Sequence, residues 1–459
     1  MCSPPPHALV LPCPGQGHVI PFLEFAHCLV DCGFEITFVN TEFNHHRILA
    51  ALSDPQCENS DLIHFVSIPD GLAPDDDRND LKKITNSILT VMPGFLEDLI
   101  RSTNEFREDG NKITCIIVDY FMAWALAIAR KIGLRSTVFF PAAAGMFLTL
   151  ARISKLTDDG IIDAADGSVK RHEMIQLTPG MPPSCPNRLP WNCIGDSETR
   201  KTMFHSFASY NRATETADFI ACNSFLEIEE PVFSYAPKLL PIGPLQTGLR
   251  TGKPVGHFRR EDSSTVAWLD EQPSGSVVYA AFGSFTIFDR RQFQELALGL
   301  EHTGRRFLWV VRSDLTDGPS DPYPDGFGLR VANRGKMVGW APQHRVLAHP
   351  SIACFVSHCG WNSTMEGVRN GVRFLCWPYF ADQFFNESYI CDVWRTGLRM
   401  KEDERGIVTK ERIISKVDEL MGDDEMKARA MVLKVLADKN VNEGGVSFKN
   451  LNSFADAMK

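Results

Sequence analysis

The first half of the chain alternates short apolar runs with stretches of helical periodicity. Residues 7–11 form a run of strand length, 12–18 are rich in turn residues, 21–26 have a helical pattern, and 34–39 form a second apolar run. Strands buried on both faces read as continuous apolar runs, and the order strand, helix, strand is that of a βαβ unit. The chain is therefore predicted to open a parallel sheet.

Further strands of the first half are predicted at 113–118, 219–223 and 239–244, with a helical pattern at 124–129. Two stretches between these elements, 69–95 and 148–210, lose the periodicity and are predicted as long loops. Long loops of compact enzymes tend to carry function. The aromatic residues beside the second stretch are either the wall of an apolar substrate pocket or plain core: Phe139, Phe140 and Phe147.

The second half repeats the same pattern. Its apolar runs are short and predict strands: 276–282, 307–311, 352–356 and 374–376. A helix is predicted at 292–300, and the chain is helical from Glu411 onward, with an interruption at Gly444 and Gly445. Two α/β halves of this kind predict two domains, each with a mostly parallel sheet.

A stretch poor in apolar residues separates the two halves. Residues 246–260 are rich in Gly, Thr and Arg and are predicted to be a linker. The domains are accordingly predicted at 1–245 and 261–436, with a terminal helix at 437–459.

Composition and charge exclude several classes of protein. The 459 residues suffice for two ordinary domains, and a formal net charge of −10 with scattered basic residues argues against nucleic acid as a partner. The 13 cysteines are odd in number and lack CxxC spacing, so reduced thiols in a cytoplasmic protein are expected. No run of 18 apolar residues predicts a transmembrane segment, and the proline-rich start does not read as a signal peptide.

The stretch from 340 to 383 concentrates the candidate chemistry. Trp340 and Gln343, around Ala341 and a proline, set an indole beside an amide. The indole can stack on a flat base while the amide hydrogen-bonds its edge. This turn predicts a pyrimidine site.

A predicted strand at 352–356 breaks at His358, Cys359 and Gly360, where a helix is expected to start. The helix-entry residue types Asn362, Ser363 and Thr364 follow directly. The amides and dipole of a helix N-terminus attract a diphosphate, and His358 can add a donor.

Three further polar residues complete the candidate ligand set. Glu366, one turn into the predicted helix, is placed to accept from the two hydroxyls of a ribose. Asp382 and Gln383 follow a loop and can grip sugar hydroxyls. Each residue of the stretch also has an ordinary structural explanation, as a buried tryptophan, a helix cap or a surface carboxylate. The order of the whole series, and not any single residue, therefore favours a ligand site over these explanations.

In that order the stretch resembles, almost position for position, the signature box of the plant family-1 UDP-dependent glycosyltransferases. The resemblance runs from Trp-Ala-Pro-Gln through His-Cys-Gly-Trp-Asn-Ser to the closing Asp-Gln. It implies the GT-B fold, in which two Rossmann-like domains face each other across a cleft and a terminal helix returns to the first domain. The UDP-sugar ligands implied are Trp340, Ala341, Gln343, His358, Cys359, Gly360, Trp361, Asn362, Ser363, Glu366, Asp382 and Gln383. Ser284, directly after the predicted strand at 276–282, faces the same side as this stretch if the sheet is parallel. It is either a ligand of a phosphate oxygen or a turn-forming serine. One departure is Arg373, where the family usually has Pro, a change expected to affect a turn.

His18 and Asp119 are the candidate catalytic pair. His18 lies in the turn-rich stretch after the first strand, and Asp119 ends the strand at 113–118. Carboxyl ends of parallel strands share one edge, so Asp119 can approach His18 and fix its tautomer. The alternatives are a surface histidine and a helix-capping aspartate. In the family resembled, Gly-His-x-x-Pro supplies the catalytic base and an Asp at this place partners it.

The implied activity is inverting transfer of glucose from UDP-glucose to a hydroxyl of a small, largely apolar acceptor of the phenolic, flavonoid or terpenoid class. Gln383 and Trp361 match the glucose-using pattern of the family. The mechanism implied needs no metal and no cofactor beyond the co-substrate UDP-glucose, and a monomer is expected. Two rivals remain: a catalytically silent UDP-sugar binding protein, and a nicotinamide oxidoreductase, which the missing Gly-x-Gly-x-x-Gly after a strand disfavours.

Overall fold

The computed structural model describes residues 5–52, 61–106, 111–245, 262, 264–316 and 322–459. The chain divides into two compact units, the first comprising Met1–Arg259 with Lys439–Lys459 and the second Arg260–Asp438. The predicted linker, 246–260, lies outside the described residues.

The first unit is built on a parallel sheet with seven strands among its described residues, in the order β3-β2-β1-β4-β5-β6-β7. The strands are β1 His7–Leu11, β2 Glu35–Thr41, β3 Ile63–Ile68, β4 Cys115–Asp119, β5 Arg135–Phe140, β6 Phe219–Cys222 and β7 Leu239–Pro241. The order runs one way from β1 to β2 and β3 and the other way from β1 to β4. The carboxyl ends of β1 and β4 therefore form a topological switch point, where ligands of open α/β sheets bind.

Helices pack on this sheet. Those of the first unit are α1 Gln16–Asp31, α2 Glu42–Leu52, α3 Leu81–Phe106, α4 Ala125–Ile132, α5 Ala144–Ala151, α6 Ile153–Asp158, α7 Ser197–Thr214 and α8 Glu230–Tyr235. Helix α1 buries Phe22 and Phe25 against Phe139 of β5. Phe139 thus belongs to the core, one of the two explanations that its sequence allowed.

The second unit has a parallel sheet of six described strands, in the order β10-β9-β8-β11-β12-β13. They are β8 Val277–Ala281, β9 Arg306–Val310, β10 Gly335–Val338, β11 Ile352–Ser357, β12 Arg373–Cys376 and β13 Gly397–Arg399. Its switch point lies between β8 and β11. The prediction of an α/β chain with two parallel sheets is confirmed.

The helices of the remaining chain are α9 Ser264–Asp270, α10 Arg290–His302, α11 Phe327–Val331, α12 Gln343–Leu347, α13 Trp361–Asn370, α14 Gln383–Ser388, α15 Lys410–Gly422, α16 Asp424–Val441 and α17 Val446–Met458. Helix α17 belongs to the first unit, where Phe454, Ala455 and Met458 join the same hydrophobic core as Phe22 and Phe25. The helical segment predicted from Glu411 onward breaks near Asp423 as well as at Gly444.

The two predicted loops are wrong in part, because each contains a long helix. Helix α3 has Pro93 in its interior, yet it buries a stripe spaced by four residues: Ile88, Met92, Leu96 and Ile100. Helix α7 is capped by Asp196, whose side chain accepts from the amide of Thr199 at 2.8 Å. Frequent Ser, Thr and Asn hide the period of a helix whose solvent face is polar.

Arg373 is also not where the sequence placed it. It opens β12 rather than occupying a turn, and its side chain is buried. A residue that begins a strand can donate its side chain to a neighbouring element without disturbing the ladder. Among the described residues, no helix is long and apolar enough to cross a membrane.

Candidate active site

His18 and Asp119 meet at the switch point of the first sheet. Leu11 at the end of β1 pairs with Val118 of β4, so the segments that follow these strands start side by side. The Nδ1 of His18 lies 2.7 Å from Asp119 Oδ2, with the histidine side chain 28% exposed and the carboxylate 0% exposed. Because a carboxylate only accepts, Nδ1 carries the proton and Nε2 is the basic nitrogen.

The carboxylate of Asp119 serves two purposes. Its Oδ1 accepts from the amide of Phe121 at 3.0 Å and so caps the short turn after β4. Its Oδ2 holds His18. The capping and the histidine-orienting explanations of Asp119 are therefore both correct. His18 itself lies in the first turn of α1, which begins at Gln16, and not in the loop that the sequence predicted.

An aromatic group stands beside the histidine. The ring of Phe121 meets the His18 ring edge to face, with centroids 5.0 Å apart and planes at 84°. Phe207 and Tyr210 of α7 pack on Phe121, with centroids 5.6 and 6.1 Å away. The helix that the sequence analysis missed thus supplies part of the wall near His18.

Two other ionisable groups lie near Asp119 and stay neutral. Loss of solvation raises the pKa of the Cys13 thiol well above 9.0, and the charge of Asp119 raises it further. Burial likewise raises the pKa of the Tyr210 phenol, and the negative charge of Asp119 raises it further. Neither group competes with His18 as a base near neutral pH.

In the second unit, three loops meet at one edge of the sheet. Ser357, the last residue of β11, pairs with Ala281 of β8 on one side and with Cys376 of β12 on the other. The loops that carry Ser284, His358 and Asp382 therefore leave the sheet as neighbours. Residues far apart in the sequence are thus close enough to contact different parts of one diphosphate-sugar ligand.

The imidazole of His358 is fitted between two glycines. A Cβ added to Gly283 or to Gly360 would lie 2.5 Å from His358 Nε2, so neither position accommodates a side chain without displacing the ring. Burial, and next the charge of Arg312, lower the pKa of His358 from 6.5 to about 4. A neutral imidazole at this place can donate one hydrogen bond to an anionic ligand.

Helix α13 begins immediately after this histidine. Its N-cap is Gly360, which offers no side-chain cap, and the amide of Thr364 makes the first helical bond to Gly360 O at 2.9 Å. Asn362 and Ser363 consequently lie within the first turn instead of capping it. A helix that starts on a glycine lets a diphosphate approach the positive end of its dipole.

Gln343, Ser363 and Glu366 form one hydrogen-bonded group. Gln343 Nε2 donates to Ser363 Oγ at 2.8 Å and to Glu366 Oε2 at 2.6 Å, and its Oε1 accepts from Tyr279 at 3.2 Å. Both amide protons are thus directed at Ser363 and Glu366. The contact of Gln343 with a base edge stays a prediction, whereas its orienting of Glu366 is visible in the structure.

Gln383 is oriented by the loop before it. Its Oε1 accepts from the amides of Tyr379 and Phe380 at 2.8 and 3.1 Å. Two N–H donors fix the amide with its oxygen toward the loop. Any contact between Gln383 and a sugar hydroxyl therefore has Nε2 as the donor.

The other predicted donor ligands are distributed around these groups. Trp340 and Ser284 are half-buried, Ala341 is buried, and Cys359 is buried with a φ of 64°. Trp361 is also buried and lies beside Trp394, with ring centroids 6.2 Å apart. Packing against Trp394 explains why Trp361 is buried, and a contact of Trp361 with the sugar stays a prediction.

Arg312 is a residue that the sequence analysis missed. Its guanidinium donates to the main-chain oxygens of Gly283 and Thr286, the latter at 2.7 Å, and pairs with Asp314 at 2.9 Å. It therefore clamps the loop that carries Ser284 and places a buried positive charge behind it. The signal in the sequence was a lone arginine directly after the apolar run at 307–311.

No group of three or more His, Cys, Asp or Glu side chains is placed to hold a metal ion among the residues that the structure describes. The expectation of a reaction without metal or cofactor stays a prediction.

Comparison with known proteins agrees with this geometry. The family model described as "UDP-glucoronosyl and UDP-glucosyl transferase" matches residues 255–442. UDP-glycosyltransferase 83A1 of Arabidopsis thaliana is 43% identical, covering 99% of this chain and 97% of the relative. The chain belongs to the UDP-glycosyltransferase family. Linamarin synthase 1 of Manihot esculenta is 34% identical, covering 98% of this chain and 96% of the relative.

Solved structures of glycosyltransferases have the same fold. A UDP-glucosyltransferase of Polygonum tinctorium superposes with a TM-score of 0.84 at 29% identity, covering 100% of this chain and 99% of that one. UGT2 of Phytolacca americana, complexed with UDP-2fluoro-glucose and pterostilbene, gives a TM-score of 0.82 at 26% identity over the full length of both chains. The protein is thus a UDP-dependent glycosyltransferase of the GT-B fold, and both rival functions are left without support.

Proposed function

We propose that this enzyme transfers glucose from UDP-glucose to a hydroxyl of a small, largely apolar metabolite, with inversion to a β-glucoside. The observation that carries the proposal is the 2.7 Å contact between His18 Nδ1 and Asp119 Oδ2. It provides an oriented base at a switch point, with an exposed edge and an aromatic neighbour. An isolated surface histidine would lack the orienting carboxylate and the aromatic neighbour.

His18 acts as the general base. With its proton on Nδ1, Nε2 takes the proton of the acceptor hydroxyl while the oxygen attacks the anomeric carbon of the donor. The attack comes from the face opposite UDP, so an α-linked donor gives a β-linked product in one displacement. Asp119 stabilises the imidazolium that forms, as a buried carboxylate does for a catalytic histidine.

The second unit binds the donor in this proposal. Trp340 and Ala341 hold the base, and Glu366, oriented by Gln343, accepts from the ribose. The start of α13, with His358 and the loop of Ser284, stabilises the diphosphate as negative charge develops on the leaving group. Arg312 holds the Ser284 loop through hydrogen bonds to its main-chain oxygens, and its positive charge also favours the diphosphate.

The sugar is proposed to be glucose, held by Asp382 and Gln383. The orientation of Gln383, with Oε1 committed to the loop, gives a fixed N–H donor facing away from Tyr379 and Phe380. Sugars that differ at one hydroxyl are separated by such directional bonds. The Phytolacca neighbour binds a fluorinated UDP-glucose, and the Medicago truncatula UGT71G1 structure, with a TM-score of 0.80, contains UDP-glucose.

The acceptor is proposed to be a phenolic, flavonoid or terpenoid compound. Support comes from the aromatic group of Phe121, Phe207 and Tyr210 beside His18, which favours flat apolar molecules with one reactive hydroxyl. Among related proteins, the Polygonum enzyme glucosylates indoxyl, and a Catharanthus roseus relative with 34% identity is a 7-deoxyloganetic acid glucosyl transferase. We further propose that the protein is cytoplasmic, because its 13 cysteines lack the paired spacing of a disulfide framework. We also propose that it is a monomer.

A substrate screen tests the proposal. Equal concentrations of UDP-glucose, UDP-galactose, UDP-xylose and UDP-glucuronate are offered with a panel of phenols, flavonoids, terpenoids and small acids, and products are identified by mass spectrometry. Preferred hexose transfer from UDP-glucose, with a β-linkage by NMR, is expected. A preference for another UDP-sugar, or an α-linked product, contradicts the proposal.

A further inference from the structure

The side chain of Asn386 lies between the two loops proposed to hold the sugar and the diphosphate. Its Nδ2 donates to the main-chain oxygen of Cys359 at 2.9 Å and to Asp382 Oδ2 at 2.9 Å. Asn386 is 0% exposed, so its side chain is not available to contact a ligand directly. One amide nitrogen therefore links the loop after β11 to the carboxylate that precedes α14.

The orientation of this amide is fixed by the chemistry of its partners. A main-chain oxygen and a carboxylate both only accept hydrogen bonds, so an amide turned by half a rotation would set Oδ1 against two oxygens. Within the described part of the chain, Oδ1 has no hydrogen-bond partner. A buried acceptor left unsatisfied is unfavourable, and the two donated bonds offset that cost in this orientation.

Both partners of Asn386 need such support. Cys359 has a φ of 64°, a left-handed conformation that is strained for a residue with a side chain. Its amide also donates to Ser357 Oγ at 3.0 Å, so the diphosphate loop keeps a second support when Asn386 is replaced. The carboxylate of Asp382 does not cap helix α14, although Asp382 is the N-cap residue. Its direction is therefore not set by a helix cap, and the side chain of Asn386, itself within α14, supplies a donor to it.

We propose that Asn386 is a positioning residue of the donor site, which holds the Asp382 carboxylate in the direction that meets the sugar hydroxyls and ties it to the diphosphate loop. This inference rests on the proposed function, in which Asp382 accepts hydrogen bonds from the transferred sugar. Hydrogen bonds to hydroxyls depend on direction. A rotated carboxylate therefore loses the sugar while the nucleotide remains bound.

The test measures how much the sugar contributes to binding. Calorimetry gives the dissociation constants of UDP and of UDP-glucose. The constant for UDP divided by the constant for UDP-glucose measures the contribution of the sugar to binding. Asn386→Ala is expected to lower this ratio by about ten- to a hundredfold, the effect of losing a hydrogen bond to a charged group. The dissociation constant of UDP alone stays within about threefold, the scatter of a site left intact.

A double-mutant cycle separates positioning from general destabilisation. If Asn386 acts through Asp382, then adding Asn386→Ala to Asp382→Ala changes the ratio by no more than about twofold, because coupled residues are not additive. A merely structural role gives additive losses, or weakens UDP and UDP-glucose alike, and either result overturns the inference.

Asn386→Asp provides a second variant with no change of shape. It sets two carboxylates together, which raises the pKa of the pair, so a shared proton replaces the lost donor only at lower pH. The sugar-dependent ratio of this variant is expected to recover between pH 8 and pH 5.5. Absence of any recovery, in a variant that still binds UDP, counts against the positioning role.

Asn370→Ala is the matched control. Its Nδ2 also donates to a main-chain oxygen in the second unit, that of Glu366 at 2.8 Å, and the ratio is expected to stay unchanged. The sugar role of Asp382 and the positioning role of Asn386 can be rejected separately. A ratio unaffected by Asp382→Ala overturns the sugar role of Asp382 and the inference with it, whereas a ratio lowered by Asp382→Ala but not by Asn386→Ala overturns the inference alone.

Discussion

Arg373 reaches from the start of β12 to the end of α15, where its Nη1 donates to the main-chain oxygen of Leu420 at 2.5 Å. The same nitrogen lies 3.2 Å from the main-chain oxygen of Asp423. The last carbonyls of a helix lack intrahelical partners, and a cation there also opposes the negative end of the dipole. Arg373, which stands where the family usually has proline, therefore caps the carboxyl end of α15 in the second unit.

Arg373→Pro is expected to destabilise the second unit by about 2 kcal/mol, because charge-assisted hydrogen bonds to buried carbonyls are lost. Urea denaturation of the full chain measures this. Arg412→Ala, at an exposed position of α15, is the control and should change the free energy of unfolding by less than about 0.5 kcal/mol. A variant as stable as the wild type would show that Leu420 and Asp423 find other donors.

His18→Ala is expected to lower kcat by a factor on the order of 10² to 10⁴, the usual cost of removing a general base. UDP affinity should not change, since the nucleotide residues lie in the other unit. Asp119→Asn should cause an equal or smaller loss, because it acts through His18. Strongly acidic phenols, which ionise unaided, should be less affected. Steady-state kinetics and calorimetric titration with UDP test both expectations. A near-wild-type rate of His18→Ala on an alcohol acceptor would reject His18 as the general base.

Glu366→Ala should weaken binding of UDP and of UDP-glucose together, by roughly 1.5 to 3 kcal/mol, because the ribose loses a charged acceptor. Gln343→Ala should produce part of the same loss, since Gln343 Nε2 orients Glu366. Calorimetry on both single variants and the double variant measures their coupling. Unchanged UDP affinity in Glu366→Ala would identify this residue as a solvated helix position.

Gln383→Glu separates two tasks of one side chain. The isosteric carboxylate keeps an acceptor for the amides of Tyr379 and Phe380 but loses the N–H donor proposed for the sugar. We expect a higher KM for UDP-glucose with little change in UDP affinity, whereas Gln383→Ala should also lower thermal stability by freeing two loop amides. Equal sugar affinity in Gln383→Glu and the wild type would remove Gln383 from the sugar site.

His358 should make the stability of the protein depend on pH. Its pKa falls from 6.5 to about 4 on folding, so between these values the unfolded chain binds a proton that the folded chain does not. Stability contributed by this group is therefore present above pH 6.5 and is lost as the pH falls toward 4, by up to about 3 kcal/mol. Urea denaturation at several pH values, compared with His358→Asn, isolates the effect. Parallel pH profiles for the two proteins would contradict the lowered pKa.

The sequence determined the local elements and the donor motif. Apolar runs of strand length place β1, β4, β8 and β11 nearly to the residue, since a strand buried on both faces has no other composition. The residue types from Trp340 to Gln383 predicted a nucleotide site, and the resemblance of their order to a family signature box indicated a UDP-sugar. Helices with polar solvent faces, such as α3 and α7, were missed because frequent Ser, Thr and Asn mask their apolar stripe.

Tertiary structure alone decided which strand ends meet. Pairing of β1 with β4, and of β8 with β11, is a contact between segments far apart in the chain, and no local period encodes it. Side-chain contacts to main-chain oxygens of other elements also depend on the tertiary structure. Arg312 and Asn386 make such contacts beside the site, and Arg373 makes one at the end of α15. A side chain that bonds to backbone leaves no pattern in its partner's sequence, because every residue carries the same carbonyl.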